Sequence, residues 1–428
     1  MTDFTRIGAA EAARQIRAGK LTSEKLVTAC LERIGVRDTE VRAWAFCDPE
    51  LALRQARALD RAQGVRGPLH GVPVGFKDVF DTADMPTEYG SPIYAGHRPR
   101  WDAACVALTR AAGGVVLGKT ATTEFANDHP APTRNPHNLA HTPGGSSSGS
   151  AAAVADCMVP LAFGTQTGGS TIRPAAYCGI VGYKPTFNLV NRAGLKFVAE
   201  SLDTIGLYGR TVEDVALLAH AVSGQDMPAL ERKPAGVPRI GLHRTARWQD
   251  ADAAAQSALE AAARRLSAAG AAVHDVELDQ DFAALYDMQT VIMHYESARA
   301  LAYENGHHRA LISGSLGRRL ESGMKTPRRD YEAAMAHARA CRYRFREMLS
   351  GVDILLTLSA PGEAPQGLTT TGSSLFNRNW TLLGAPCVQV PCATGANGLP
   401  LGVQVVGAIG HDLTALAWAD WIHGVLRA

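Results

Sequence analysis

Three stretches of the chain hold residue types that could do chemistry together. Gly164-Thr165-Gln166-Thr167-Gly168-Gly169-Ser170-Thr171-Ile172-Arg173-Pro174 sets two glycines directly before a serine. Glycines let the backbone turn sharply and aim successive N–H groups one way, which a developing oxyanion needs. An ordinary Gly-Gly turn has the same composition. Gly144-Gly145-Ser146-Ser147-Ser148-Gly149-Ser150 runs straight into Ala151-Ala152-Ala153-Val154-Ala155, a strong helix former. Alone, a Gly/Ser run reads as a flexible linker. Opening a helix, its N–H groups stand where negative charge is stabilised. Lys77 lies inside the apolar run 71–80, Gly-Val-Pro-Val-Gly-Phe-Lys-Asp-Val-Phe. Lysines are almost never fully buried without a partner. Desolvation lowers an ammonium pKa, so a buried lysine can serve as a neutral base near pH 7. The competing reading is a strand-end lysine whose head reaches water.

The three stretches occur in the order lysine, Gly/Ser loop, Gly-Gly-Ser loop, and in that order they resemble the amidase signature family. The segment that carries the resemblance runs from His141-Thr142-Pro143-Gly144 through Ser170 to Cys178-Gly179-Ile180-Val181-Gly182-Tyr183-Lys184-Pro185-Thr186. The N-terminal helices, Gly67–Phe80, Leu202-Asp203-Thr204-Ile205-Gly206 and Leu382-Leu383-Gly384-Ala385-Pro386 extend it over most of the chain. The resemblance implies that Ser170 is a nucleophile, Ser146 a bridging serine beside a cis peptide, and Lys77 the base. It implies backbone donors for the oxyanion around Thr167, Gly168, Gly169 and Ser170. Neutral Lys77 would take the Ser146 proton, and Ser146 that of Ser170, which attacks an amide carbonyl. This is nucleophile-base catalysis without a histidine. The implied activity is cleavage of a small carboxamide, or a related hydrazide or urea-type C–N bond, through an acyl-enzyme. Ser147 and Gly145 are expected beside the lysine and the substrate.

Ser148 and Gln166 depart from the commonest family pattern, which has Gly and Asp there. Arg173 lies three residues after Ser170 where two is commoner. A guanidinium near the scissile carbon could grip a substrate carboxylate, with Thr165 alongside. The alternative is structural, with Arg173 bonding loop carbonyls.

Two other readings compete. Gly113-Gly114-Val115-Val116-Leu117-Gly118-Lys119-Thr120 fits GxxxxGK[ST], the pattern of a nucleotide-binding ATPase. A helical pattern precedes it, and β-branched residues resist the left-handed backbone of a phosphate nest, which argues against that reading. The family also includes the amidase subunit of a tRNA-dependent amidotransferase. The fourteen histidines show no ligand spacing, so no metal or other cofactor is expected. His294 and Tyr295 read as satisfied helix residues rather than pocket residues. The arginines at Arg318-Arg319 and Arg328-Arg329 read as solvated surface.

The positioning elements read as follows. Residues 8–65 look helical, with Thr22 an N-cap, and a second helix from Pro49 to about Gln63. The run 67–80 reads as a buried strand with tight turns, 102–112 as a helix, and Val115-Val116-Leu117 as a strand. Helical patterns recur at 211–223 and 250–269, with short strands at Ile240-Gly241-Leu242 and Ala272-Val273 around the second. The stretch 281–349 is a helix-rich insert, interrupted near 313–327. Ile354-Leu355-Leu356 and Val403-Gln404-Val405-Val406 read as buried strands. Alternating helices and apolar strands predict α/β, a central mixed sheet with helices on both faces. No linker divides the 428 residues, so one domain is expected, with a core about 67–190. Of the residues 46% are hydrophobic and 20% charged, and the net charge is +2, which favours neither nucleic acid nor a membrane surface as partner. Eight scattered cysteines without a CxxC pair, and an N-terminus without an apolar leader, point to a reduced, cytoplasmic protein. Homodimers are common among the family it resembles.

Overall fold

A computed structural model describes residues 4–63, 67–225 and 236–428. The chain opens with α1 (Ala9–Arg17), α2 (Ser23–Val41), β1 (Trp44–Cys47), α3 (Pro49–Arg61) and β2 (Pro73–Lys77). Then come α4 (Ala104–Ala111), β3 (Val115–Thr120), α5 (Ser148–Ala155), β4 (Leu161–Gln166), α6 (Ile172–Cys178) and β5 (Val181–Lys184). β6 (Thr204–Gly209), α7 (Val212–Ser223), β7 (Arg239–Leu242), α8 (Ala253–Ala268) and β8 (Ala272–Asp275) follow. The helix-rich stretch holds α9 (Gln280–Ala283), α10 (Leu285–Ala300), α11 (Ala302–His307), α12 (Gly314–Lys325) and α13 (Arg328–Met348). β9 (Ile354–Leu358), α14 (Leu375–Leu383), β10 (Cys387–Thr394), β11 (Pro400–Val406) and α15 (Asp412–Arg427) complete it.

Local chemistry starts the helices where the sequence marks them. Thr22 accepts from the Lys25 amide, Asp48 from the Leu51 amide ahead of Pro49 at the first helical position, and Thr211 and Asp214 form a reciprocal capping box on α7.

The strands form one eleven-stranded sheet among the described residues, in the order β1-β3-β2-β4-β6-β5-β10-β11-β9-β7-β8. β2 is parallel to both β3 and β4, and β7 to both β8 and β9, while the remaining pairs are antiparallel. The strand period of two sorts side chains to opposite faces. Val74, Phe76, Val116, Leu161 and Phe163 enter one cluster, with residues of α4, α7, α8 and α15. Val115, Leu117 and Ala162 point the other way, into a cluster with α2, α3 and α5. On that second face, at the far end of the sheet, Leu355, Cys387 and Val406 meet α10, α13 and α14 in a third cluster. α6 gives Ala175 and Cys178 to the second cluster and Ile172 to the third. The turn that feeds α6 therefore lies at the seam between two packed blocks.

The structure departs from the sequence reading in several places. Residues 44–47, read within a helical stretch, form edge strand β1 against β3, while positions 64 and 65 of that stretch, like the first three residues of the N-terminus, lie outside the described residues. The interruption expected near 313–327 is occupied by α12. The GxxxxGK[ST] run is strand through Thr120 and fully buried, with no helix opening behind it, so it forms no phosphate-binding loop. Lys119 instead pairs with Asp78 at 2.9 Å and donates to Phe80 O and Thr87 Oγ1. All eight cysteines are free thiols.

Candidate active site

Lys77 is the last residue of β2 and has no exposed surface. Its Nζ lies 2.6 Å from Ser146 Oγ and 2.7 Å from Thr165 Oγ1. Among the described residues no carboxylate comes within ion-pair distance of it. Burial pushes its pKa down to about 7, the buried charge of Asp203 opposes that, and Arg173 adds to it. The amine is thus poised between its two protonation states, and its contacts are hydroxyls.

The loop before α5 brings Ser146 to the lysine. The Gly145–Ser146 peptide is cis, and Gly144 has φ of +85°. A Cβ on Gly145 would stand 2.7 Å from Thr371 Cγ2, so both glycines are sterically required. The helix starts at Ser148, whose hydroxyl donates back to Gly144 O at 2.8 Å. The Gly149 amide is taken by Ala121 O. That donor of the Gly/Ser run is therefore spent on the fold rather than on a ligand. Ser147 Oγ donates to Thr165 O and accepts from Thr165 N, both at 3.2 Å. It clamps the residue that contacts Lys77.

The turn between β4 and α6 carries Ser170, 8% exposed. Four carbonyls of this turn are pulled outward. Gln289 Nε2 donates to Thr167 O at 3.0 Å, Thr381 Oγ1 to Gly168 O at 2.8 Å, the Arg173 amide to Gly169 O at 3.0 Å and Tyr208 OH to Ser170 O at 3.0 Å. The amides of Gly168, Gly169 and Ser170 have no protein acceptor among the described residues. Carbonyls tied back and amides left free are what an incipient oxyanion requires. A Cβ on Gly169 would come 2.3 Å from Asn377 Oδ1, which explains the second glycine. Gln166, where the commoner pattern has Asp, accepts from the Thr171 and Ile172 amides and donates to Thr381 Oγ1. It holds the start of α6 without a charge.

Arg173 turns its guanidinium toward loop carbonyls. Its guanidinium donates to Gly372 O at 2.6 Å and to Gly145 O, the carbonyl of the cis bond. It braces the Ser146 loop. Thr165 likewise spends its hydroxyl on Lys77. Asp203 is fully buried and accepts from Thr167 Oγ1 and from the Val198 and Ala199 amides, with its pKa raised to about 6, mainly by burial.

His294 bonds Ser322 Oγ, and Tyr295 stacks on Tyr331 at 4.2 Å. Arg319, expected in solvent, is only 10% exposed and pairs with Asp128 and Asn127. Arg328 and Arg329 are exposed, as the charge pattern predicts. Tyr208, Gln289, Asn377, Arg378 and Thr381 surround the turn but lie far from it in sequence. Only Asp203 falls inside a stretch the sequence marks. Among the described residues no group of His, Cys, Asp or Glu could hold a metal ion, and no helix is long and apolar enough to cross a membrane.

The family model for amidases matches residues 25–416. Among curated relatives, a glutamyl-tRNA(Gln) amidotransferase subunit from Salinispora arenicola is 36% identical, over 95% of this chain and 94% of that one. A solved amidase structure superposes with a TM-score of 0.90 at 30% identity, covering 98% of this chain and 100% of the other. The peptide amidase of Stenotrophomonas maltophilia gives 0.84 at 29% identity, covering 99% and 98%.

Proposed function

The chain belongs to the amidase family, and from that premise we propose that it hydrolyses a small carboxamide through an acyl-enzyme on Ser170, with Ser146 and Lys77 relaying the proton. One observation carries the reading: a wholly buried amine, held near neutrality, lies 2.6 Å from a serine hydroxyl, and among the described residues no carboxylate pairs with it.

In the first half-reaction the Lys77 lone pair accepts the Ser146 proton as Ser146 Oγ accepts that of Ser170. Ser170 Oγ bonds to the amide carbon. The carbonyl π pair moves onto oxygen, where the free amides of Gly168, Gly169 and Ser170 receive it. Collapse of this adduct breaks the C–N bond, and the relay returns the proton to the leaving nitrogen. Ammonia or an amine departs, leaving an ester on Ser170. Water repeats the sequence in reverse roles and frees the acid. Thr165, clamped by Ser147, orients the amine so that its lone pair faces Ser146. Arg173 fixes that serine from the other side.

The test is ammonia and amine release across a panel of aliphatic, aryl, hydrazide and urea-type amides, with Ser170→Ala as control. Loss of turnover in Ser170→Ala, with wild-type ester trapped by hydroxylamine, supports the reading. Undiminished turnover in Ser170→Ala refutes it.

The relatives' names favour a second reading, one component of a tRNA-dependent amidotransferase. Robust amide hydrolysis by the isolated chain would exclude a role confined to such an assembly.

A further inference from the structure

Arg378, on α14, is half-buried beside the turn that carries Ser170. Its Nε donates to Ser374 Oγ at 3.2 Å and its Nη1 to Thr290 Oγ1 at 3.3 Å, both neutral acceptors. Among the described residues no carboxylate forms an ion pair with it. Both acceptors belong to the wall of the turn. Ser374 Cβ and Oγ stand 2.9 Å and 3.4 Å from where side chains on Gly169 and Gly168 would begin. Thr290 follows Gln289, which holds Thr167 O. The guanidinium therefore lies one hydroxyl away from the Gly168-Gly169 segment of the turn.

The surrounding charges do not neutralise it. Asp128, Arg319, Arg247 and Asp287 act on Arg378 through space. Asp128 is bound by Arg319, Arg247 pairs with Asp250, and Asp287 is exposed to solvent. Arg173, buried on the same side, feels Arg378 as a repulsion. Leaving a half-buried arginine unpaired is costly, and arginine keeps its charge at any working pH. A bound anion with two acceptor oxygens would recover that cost through a forked pair.

Resting on the hydrolase reading above, we propose that the substrate is a short amide bearing a second, anionic group, and that Arg378 holds the carboxylate while Ser170 attacks the amide at its other end. The sequence directs attention to Arg173 for this role, but its Nη1 and Nη2 already donate to Gly372 O and Gly145 O, and only its buried Nε is left without a partner. The closeness of Arg378 to the turn restricts the spacer to a few carbons.

The experiment compares kcat/KM on malonamate, succinamate and glutaramate with that on their uncharged isosteres 3-methylbutanamide, 4-methylpentanamide and 5-methylhexanamide. In the wild type at least one acid is preferred over its isostere. In Arg378→Met the acid-to-isostere ratio falls about 10- to 100-fold, the worth of a charge-assisted hydrogen-bonded pair, and Arg378→Lys recovers part of it. Succinate binding by calorimetry gives a readout independent of turnover and weakens in the same order. No preference in the wild type, or an unchanged ratio in Arg378→Met, overturns the proposal. Turnover surviving in Ser170→Ala would instead refute the hydrolase reading, so the two failures are separable.

Discussion

Replacing Lys77 by methionine should make the folded protein more stable at neutral pH while ending catalysis, and the gain should fade as pH rises. The folded amine titrates at about 7 against 10.5 for an unperturbed lysine. Between those values the unfolded chain holds more protons, so wild-type stability climbs with pH across that window. The unfavourable contribution of the charged amine is about 4 kcal/mol at pH 7 and about 2 kcal/mol at pH 9. Methionine has a similar shape and no charge to desolvate, so the variant lacks both the penalty and the slope. It leaves the Ser146 and Thr165 hydroxyls without their shared partner, which costs about 1 kcal/mol each. The net expectation is a variant about 2 kcal/mol more stable at pH 7 and about equal to wild type at pH 9. Asp203, with a pKa near 6, is mostly ionised from pH 7 upward and adds little slope of its own in this range. Urea denaturation of both proteins at pH 7, 8 and 9 measures the difference. A difference that stays constant from pH 7 to 9 would refute the argument, because it would mean that the folded amine keeps its proton through pH 9 as the unfolded one does.

The same poise sets the rate. With Lys77 needed in its neutral form, kcat/KM should rise with pH through an apparent pKa of about 7, and a profile still climbing tenfold per unit above pH 9 would contradict it. Gly169→Ala should lower kcat/KM by about 100-fold or more with the fold retained by circular dichroism, because its methyl would stand 2.3 Å from Asn377 Oδ1 and displace the turn. An active Gly169→Ala enzyme would show that the amides of this turn do not receive the oxyanion.

Lys77, Ser146 and Ser170 can be picked out of the sequence because their neighbours are so unlike those of ordinary lysines and serines. The strands that deliver them are harder to see. β4 and β6 contain Gly164 and Gly206 opposite one another in register, and glycine argues against a strand when propensity is read alone. Here those glycines make room. Side chains on them would strike Ser147 Oγ at 2.7 Å and Thr171 Oγ1 at 2.0 Å. Strands β5 and β10 are hidden in the same way, their short apolar runs adjoining Gly and Pro segments. Arg173 is legible as a cation near the site, but its acceptors, Gly145 O and Gly372 O, are backbone groups 28 and 199 positions away. No local pattern encodes such partners. The same holds for Gln289, Thr381 and Arg378, which only the packing of α10 and α14 against the turn brings near.

Two adjacent strands of this sheet each bury a lysine, and the contrast between them is instructive. Lys119 on β3 faces the carboxylate of Asp78, and Lys77 on β2 faces alcohols. Depth is the same for both, so what differs is whether an acid stands opposite. Exchanging the Thr165 hydroxyl for a carboxylate would give Lys77 the surroundings of Lys119 and turn a reagent into a rivet. A single nucleotide change cannot make that exchange, since the codons of threonine and aspartate differ at two positions or more.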